Sequence, residues 1–429
     1  MLFPTRPDSA AICDTARRTR RARVRRRVDQ PRSAGRLPRE GPPETRCSRS
    51  YLTTRPDPSD ARRPAAPVRP GVHPACDTTC AGPESCVRSS WCPGRRVRRL
   101  EGQGIRRTEG EEDMSEPVLE PEAQAFADAV AAPPFVDELG PERARKVLDD
   151  LQAQLIEMAQ VEETWVTVPA GDGSVRVRVV TPRGTTGTLP VVLYLHGGGW
   201  VLGDAGTHDR LVRELAVGAR AAVAFVEYDR SPEARYPVAL EQGYAVARWI
   251  TTQGAALGLD ASRLAVAGDS VGGNLTAALT LLAKQRGDVT FVHQSLYYPV
   301  TDAAQDTASY REFKDGPHLT ARAMAWFWDS YLPDVDRRSE ITASPLRASL
   351  DDLAGLPPAF VVVDENDVLR DEGEAYARRL LQAGVPTTSL RYNGTIHDFM
   401  MLNPLRPTRA ATAAVEQAVH VLRTALGTL

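Results

Sequence analysis

The chain has 429 residues, of which 42% are hydrophobic and 25% charged, and its net charge at pH 7 is −2. That length is sufficient for one large α/β domain and a further segment. No apolar run reaches the ~18 residues of a membrane span, and the N-terminal region lacks the apolar segment of a secretory signal. We therefore expect a cytoplasmic protein.

The first 113 residues differ in composition from the rest of the chain. They contain 25 Arg, no Lys and 14 acidic residues, a net charge of +11, whereas the remainder carries −13. Their 14 prolines and the lack of apolar periodicity predict disorder. Because ordinary composition begins at Met114, the next methionine after Met1, we interpret residues 1–113 as a disordered extension or as a mis-annotated one, with Met114 the true start.

Three functional interpretations of this segment are weaker. An arginine-rich arm could bind nucleic acid, and a transit peptide is disfavoured by the acidic residues. Cys76, Cys80, Cys86 and Cys92 could ligate zinc, although their spacing is not that of a paired zinc knuckle. All cysteines of the chain lie in this segment, at Cys13, Cys47, Cys76, Cys80, Cys86 and Cys92. The sequence thus predicts no nucleic-acid partner, no metal and no other cofactor.

Residues 114–160 are predicted to form a small helical cap. Two amphipathic helices are expected within 121–160, broken at Pro133-Pro134 and restarted after Gly140-Pro141. The next segment, Trp165–Val180, alternates apolar and polar residues around a Gly-Asp-Gly turn, which indicates a β-hairpin.

Residues 161–429 are predicted to be the catalytic domain, in which short apolar strands alternate with helices. Strands are expected at 190–195, 221–226, 264–267, 295–298, 359–363 and 387–391. Helices are expected at 207–219, 237–253, 271–285, 372–383 and 410–426. This alternation predicts an α/β fold with a mostly parallel central sheet and helices on both faces.

An irregular, aromatic-rich insertion at 302–348 interrupts the alternation and is predicted to be cap or lid material. Its rings at Trp326, Phe327, Trp328 and Tyr331 are expected to form a wall of the substrate pocket, together with Trp200. Ordinary core packing is the alternative for these rings.

The most specific motif is the pentapeptide Gly268-Asp269-Ser270-Val271-Gly272, which lies between a predicted strand and a predicted helix. A G-x-S-x-G sequence in that context is typical of a nucleophile elbow, which raises the serine hydroxyl above the sheet. The sequence therefore predicts Ser270 as nucleophile. The amide of the following residue, Val271, is expected to donate to the oxyanion.

A second glycine-rich motif, His196-Gly197-Gly198-Gly199-Trp200, follows the strand at 190–195. Acyl transfer creates an oxyanion that needs preorganised N–H donors, and consecutive glycines let backbone amides approach a substrate carbonyl closely. We interpret His196 as a structural residue rather than a base.

A nucleophilic serine needs a base and an acid, which follow it in the order Asp then His in this fold. His397 lies in a short loop after the last predicted strand, whereas the other downstream histidines occupy a strand, the insertion or the final helix. The acid should end the strand at 359–363. Spacing alone leaves both Asp364 and Asp367 open.

Taken together, the chain resembles the hormone-sensitive lipase family of α/β-hydrolases, in its bacterial esterase branch. The residues that carry the resemblance are His196–Trp200, Ser231–Ala239, Gly268–Gly273, Asp367–Glu372, and His397 with Phe399. The resemblance implies that Asp367 is the triad acid and that the amides of Gly198, Gly199 and Val271 form the oxyanion hole, supported by His196, Gly197 and Asp269. At Val271, Val368 and Asp398 the chain departs from the residues that are usual in the family, and these departures bear on the substrate range.

These observations predict a serine carboxylesterase that hydrolyses short- to medium-chain acyl esters through an acyl-enzyme intermediate. An amidase or arylformamidase with the same triad is one alternative, and a non-catalytic ligand-binding protein on this fold is another. The expected binding partner is a small-molecule ester, and the protein could also form a homodimer.

Overall fold

The computed structural model describes residues 117–429. The predictions made for residues 1–113 lie outside the described residues. The strands are β1 Val161–Ala170, β2 Gly173–Pro182, β3 Leu189–Leu195, β4 Ala222–Glu227, β5 Leu259–Asp269, β6 His293–Tyr297, β7 Ala359–Asn366 and β8 Thr387–Ile396. The helices are α1 Pro121–Val130, α2 Val136–Leu139, α3 Pro141–Gln152, α4 Asp209–Ala219, α5 Val238–Gln253, α6 Val271–Arg286, α7 Ala308–Glu312, α8 Ala321–Tyr331, α9 Leu350–Leu353, α10 Arg370–Gln382 and α11 Arg409–Leu426.

The strands form one sheet of eight, in the order β1-β2-β4-β3-β5-β6-β7-β8. The hairpin β1–β2 is antiparallel, as is the pairing of β2 with β4, whereas every pairing from β4 to β8 is parallel. The predicted mostly parallel sheet with helices on both faces is confirmed, and so is the predicted hairpin.

The strands β3 and β4 and the segment 264–267 of β5 are largely apolar, because both faces of a parallel sheet are covered. Leu193, Val223 and Val266 on three neighbouring strands are each fully buried. Parallel strands end at the same edge of the sheet, so the loops that follow β5, β7 and β8 meet there. This edge is where ligands bind in open α/β sheets.

Two predictions about irregular segments are wrong in detail. The 121–160 region contains three helices rather than two, and the last of them ends at Gln152. A single turn, α2, fits between the prolines and Gly140, which takes a left-handed φ of 73°. The insertion at 302–348 is not wholly irregular, because it holds α7 and α8, whose first turns are capped by the side chains of Thr307 and Thr320.

None of the helices in residues 117–429 is both long enough and apolar enough to cross a bilayer.

Candidate active site

Ser270 occupies a sharp turn between β5 and α6. Its φ of 53° and ψ of −119° lie outside the regions that ordinary residues prefer. A Cβ atom at Gly268 would collide with the backbone of Gly272, and one at Gly272 would collide with the backbone of Leu195. The two glycines are therefore required by the close approach of three backbone segments, as the pentapeptide predicted.

The predicted nucleophile, base and acid are brought together in one hydrogen-bonded series. His397 Nε2 lies 2.9 Å from Ser270 Oγ, and His397 Nδ1 lies 2.6 Å from Asp367 Oδ2. The second carboxylate oxygen of Asp367 accepts a hydrogen bond from the amide of Leu369 at 3.0 Å. The three side chains are almost completely buried, so their hydrogen bonds do not compete with bulk water.

The sheet explains this meeting of residues that are distant in sequence. Asp367 directly follows β7 and His397 directly follows β8, while Ser270 directly follows β5. Two of the other three downstream histidines lie away from these residues. His293 contacts Ser295 within β6, and His420 belongs to α11.

An additional carboxylate, Asp398, lies beside the predicted base. Its Oδ1 is 3.4 Å from His397 Nε2, and its Oδ2 is 3.7 Å from His318 Nε2. Burial by itself would lower the pKa of His397, but the carboxylates of Asp367 and Asp398 outweigh it and raise that pKa above its ordinary value. Asp398 is one of the positions at which the sequence departs from the family it resembles, and this departure marked the residue as unusual. Nothing in the sequence indicated that Asp398 would contact the base.

The glycine motif turns back on itself next to Ser270. Gly198 and Gly199 adopt φ values of 98° and 64°, which side chains other than hydrogen disfavour. Within residues 117–429, the amides of Gly198, Gly199 and Val271 donate to no protein acceptor. These three free N–H donors beside the serine could therefore stabilise, by hydrogen bonding, the negative charge that develops on a substrate oxygen.

Asp269 connects this glycine motif to the serine turn. Its Oδ1 accepts hydrogen bonds from the Tyr194 hydroxyl at 2.7 Å and the Gly197 amide at 3.2 Å. Its Oδ2 lies 3.2 Å from His208 Nε2, and this carboxylate raises the pKa of His208 against the effect of burial. His208 is a site residue that the sequence analysis missed, since it has no motif of its own.

His196 has the surroundings of a structural residue. Its Nδ1 lies 2.9 Å from the carbonyl oxygen of Gly197, and its ring stacks on Tyr228 with 4.0 Å between centroids. Burial lowers the pKa of His196 well below its ordinary value. These contacts support the interpretation of His196 as a support for the glycine motif.

A cavity of about 360 Å³ opens beside Ser270 and His397. The 114–160 segment provides most of its apolar lining, including Val136, Leu148 and Leu151. The insertion adds residues of α8 and the preceding loop, among them His318. Both segments predicted to form a cap therefore face the serine, although their assignment to a separate cap stays a prediction.

Of the aromatic residues predicted to line the pocket, only Phe327 does so. Trp200 stacks on Tyr331 with 4.1 Å between ring centroids and 4° between planes, and both are buried in the core. Trp326 packs against the ring of Phe327 instead of entering the cavity. The prediction for Trp200, Trp326, Trp328 and Tyr331 is therefore wrong. Trp328 is buried beside Trp200, and of the rings on α8 only that of Phe327 faces the cavity, because neighbouring residues of a helix point in different directions.

One group of side chains in the described part of the chain has the spacing of a metal site. Asp364, Asp367 and His397 each offer an atom within 4.8 Å of the others. Both ring nitrogens of His397 are already engaged, one by Asp367 and the other by Ser270. We therefore do not identify these residues as metal ligands.

The chain is similar to known esterases. A model of the family described as having the α/β-hydrolase fold matches residues 192–401. A thermostable esterase from Pseudomonas putida ECU1011 has a solved structure that is 48% identical with a TM-score of 0.71, and the match covers 72% of this chain and 98% of that one. Carboxylesterase NlhH of Mycobacterium tuberculosis is 37% identical over 319 residues, covering 72% of this chain and 99% of the relative. Ethyl acetate hydrolase of Pseudomonas putida is 40% identical over 215 residues, covering 50% of this chain and 67% of the relative.

Proposed function

Because this chain belongs to the α/β-hydrolase family, in the hormone-sensitive lipase group, and is a carboxylic ester hydrolase, we propose that Ser270, His397 and Asp367 are its catalytic triad. The observation that carries the proposal is the unbroken contact from Ser270 Oγ through both nitrogens of His397 to Asp367 Oδ2. The order of the three residues along the chain is also the order of this fold.

The reaction that fits this geometry is two-step acyl transfer. His397 accepts the hydroxyl proton while Ser270 Oγ attacks the ester carbonyl, and the resulting imidazolium then protonates the departing alcohol. Water activated by the same histidine hydrolyses the acyl-enzyme and regenerates the serine. The amides of Gly198, Gly199 and Val271 supply the donors for the oxyanion in both steps.

Asp367 has two functions in this proposal. Its Oδ2 keeps the proton of the imidazole on Nδ1, so that Nε2 is free to accept the proton of the serine. Its negative charge also stabilises the imidazolium that forms in each step. Both require that Asp367 be ionised.

We propose that the substrates are neutral esters with short- to medium-chain acyl groups. The apolar cavity beside Ser270 is large enough for a small acyl group, and the ring of Phe327 limits it on one side. A relative named ethyl acetate hydrolase agrees with a small substrate. The cytoplasmic location, the homodimer and the lack of nucleic-acid binding stay predictions.

The decisive experiment combines a substitution with covalent labelling. Ser270→Ala should lower kcat for p-nitrophenyl butyrate by at least ~10³-fold while circular dichroism shows an unchanged fold. A p-nitrophenyl alkylphosphonate should add one phosphonyl group to Ser270 of the wild type, located by peptide mass spectrometry, and none to the variant. Ser262→Ala changes an exposed serine on β5, the strand that precedes Ser270; it is the matched control and should behave as wild type. Normal turnover by folded Ser270→Ala would refute the assignment.

A further inference from the structure

A second buried aspartate lies beside the proposed triad, and the reaction described above does not use it. Asp364 is on β7, three positions before Asp367, and none of its surface is exposed. Neither of its carboxyl oxygens receives a hydrogen bond from any donor in residues 117–429. A buried ionised carboxylate without donors is strongly disfavoured, because it loses its hydration without compensation.

The surroundings of Asp364 add negative charge rather than compensating it. An oxygen of Asp364 lies within 4.8 Å of both an oxygen of Asp367 and a ring nitrogen of His397. The titratable groups that act on it most strongly are Asp367, His397 and Asp398, and of these only His397 can become positive. Burial, together with nearby carboxylates that include Asp364, raises the pKa of the hydroxyl of Tyr298, which directly follows β6, so this neighbour is neutral.

Two carboxylates this close in a buried site cannot both be ionised at low cost, so one of them holds a proton. Asp367 is the better anion, because its oxygens already face the amide of Leu369 and the Nδ1–H of His397. Asp364 has no such donors. The proton therefore belongs on Asp364.

We propose that Asp364 is a protonated carboxylic acid that donates a hydrogen bond to Asp367, and thereby acts as a positioning residue for the catalytic triad. This inference rests on the proposed function, since it assigns Asp364 a role in that same triad. Burial, together with the adjacent Asp367 carboxylate, raises the pKa of Asp364 well above its usual range, in agreement with the geometric argument. The hydrogen bond would fix the plane of the Asp367 carboxylate and, through it, the orientation of the His397 ring.

The test compares two substitutions that differ in hydrogen bonding. Asp364→Asn keeps a neutral donor of the same shape, so kcat should stay within about threefold of wild type, whereas Asp364→Ala removes the donor and should lower kcat by about 10–100-fold with little change in KM. Glu365→Gln is the matched control, because it removes a carboxylate from the same strand at a residue whose side chain contacts the amide of Gly394 instead of the triad. It should leave kcat and KM unchanged.

The pH profile of kcat/KM shows whether Asp364 is neutral. If it is protonated, Asp364→Asn removes no charge, and the acid limb governed by His397 should stay where it is in the wild type. If Asp364 is ionised, the substitution removes a stabilising charge from beside the imidazolium, and the acid limb should move to lower pH by about one unit or more. That shift would overturn the proposal, and so would an Asp364→Ala variant as active as Asp364→Asn.

Infrared spectroscopy provides a readout that does not depend on turnover. The difference spectrum between wild type and Asp364→Asn should contain the C=O stretch of a carboxylic acid, and its replacement by a carboxylate band would contradict the proposal even if Asp364→Ala fails to fold. A failure of the proposed function is distinguishable, because wild type would then show no ester hydrolysis or no loss of activity on Ser270→Ala. Failure of the present inference alone leaves both of those results intact.

Discussion

The carboxylate of Asp269 accepts a hydrogen bond from the backbone amide of Gly197 at 3.2 Å. One residue of the serine turn thus holds the first glycine of the motif that supplies the proposed oxyanion donors. The approach is so close that a Cβ atom at Gly197 would collide with the Asp269 carboxylate. The spacing between nucleophile and donors therefore depends on this buried acid.

We expect Asp269→Asn to lower kcat by about tenfold, because hydrogen bonds to a charged acceptor exceed those to a neutral one by about 1 kcal/mol or more. KM should change little, since the cavity that receives the acyl group is unaltered. Steady-state kinetics with p-nitrophenyl butyrate measure both constants. Asp260 lies at the N-terminal end of β5, the strand that Asp269 ends. Asp260→Asn is therefore the control and should have wild-type kinetics. A rise in KM at constant kcat would show that Asp269 serves substrate binding instead.

A second prediction concerns the pH dependence of catalysis and Asp398. The base must be neutral to accept the serine proton, so kcat/KM falls on the acidic side as His397 becomes protonated. Asp398, 3.4 Å from His397 Nε2, favours the protonated form and thus moves that fall to higher pH. Asp398→Asn should remove this effect, lower the pKa of His397, and move the acid limb toward lower pH.

The measurement is the profile of kcat/KM against pH for wild type and Asp398→Asn. The relative activity of the variant should be greatest at acidic pH, where wild-type His397 is largely protonated. Asp334→Asn removes an exposed charge in the loop after α8 and should leave the profile unchanged, because exposed charges are screened by solvent. An acid limb that does not move would mean that Asp398 exerts no electrostatic influence on the base.

The parts of the site that the sequence predicted are those fixed by local backbone geometry. The turn at Ser270 requires glycine on both sides, and the requirement is visible as a pentapeptide between a strand and a helix. The choice between Asp364 and Asp367 was not fixed in this way. Both residues lie near the end of β7, and the backbone beyond Asn366 decides which carboxylate faces His397. At the level of the sequence, only the family resemblance selected Asp367 as the acid.

Contacts between distant segments could not be predicted from the sequence. The stacking of Trp200 on Tyr331 joins residues 131 positions apart, and it removes two rings from the pocket that the sequence placed there. The network around Gln152 is similar, since its amide donates to the carbonyl oxygens of Thr207 and Met401. No periodicity or motif in the sequence indicates which face of a helix packs against which loop.

Phe327, the one ring of the predicted aromatic set that lines the pocket, is the subject of the third prediction. Its ring packs so closely on Gly199 that a Cβ atom there would overlap it. The ring thus lies against the glycine motif and closes one side of the cavity beside Ser270. An acyl chain that extends in this direction meets aromatic surface, whereas each CH₂ that fits gains about 0.8 kcal/mol.

We therefore expect wild-type kcat/KM to rise up to acyl groups of about four to six carbons and to fall beyond them. Phe327→Ala should move the maximum to chains longer by two or more carbons, on the order of one ring's depth. The measurement is kcat/KM for p-nitrophenyl esters from acetate to palmitate, with the fold of each variant checked by circular dichroism. Trp326→Ala is the matched control, because this neighbouring ring does not line the cavity, and it should keep the wild-type preference. If the maximum is the same in Phe327→Ala as in wild type, or moves equally in Trp326→Ala, Phe327 does not set the acyl limit.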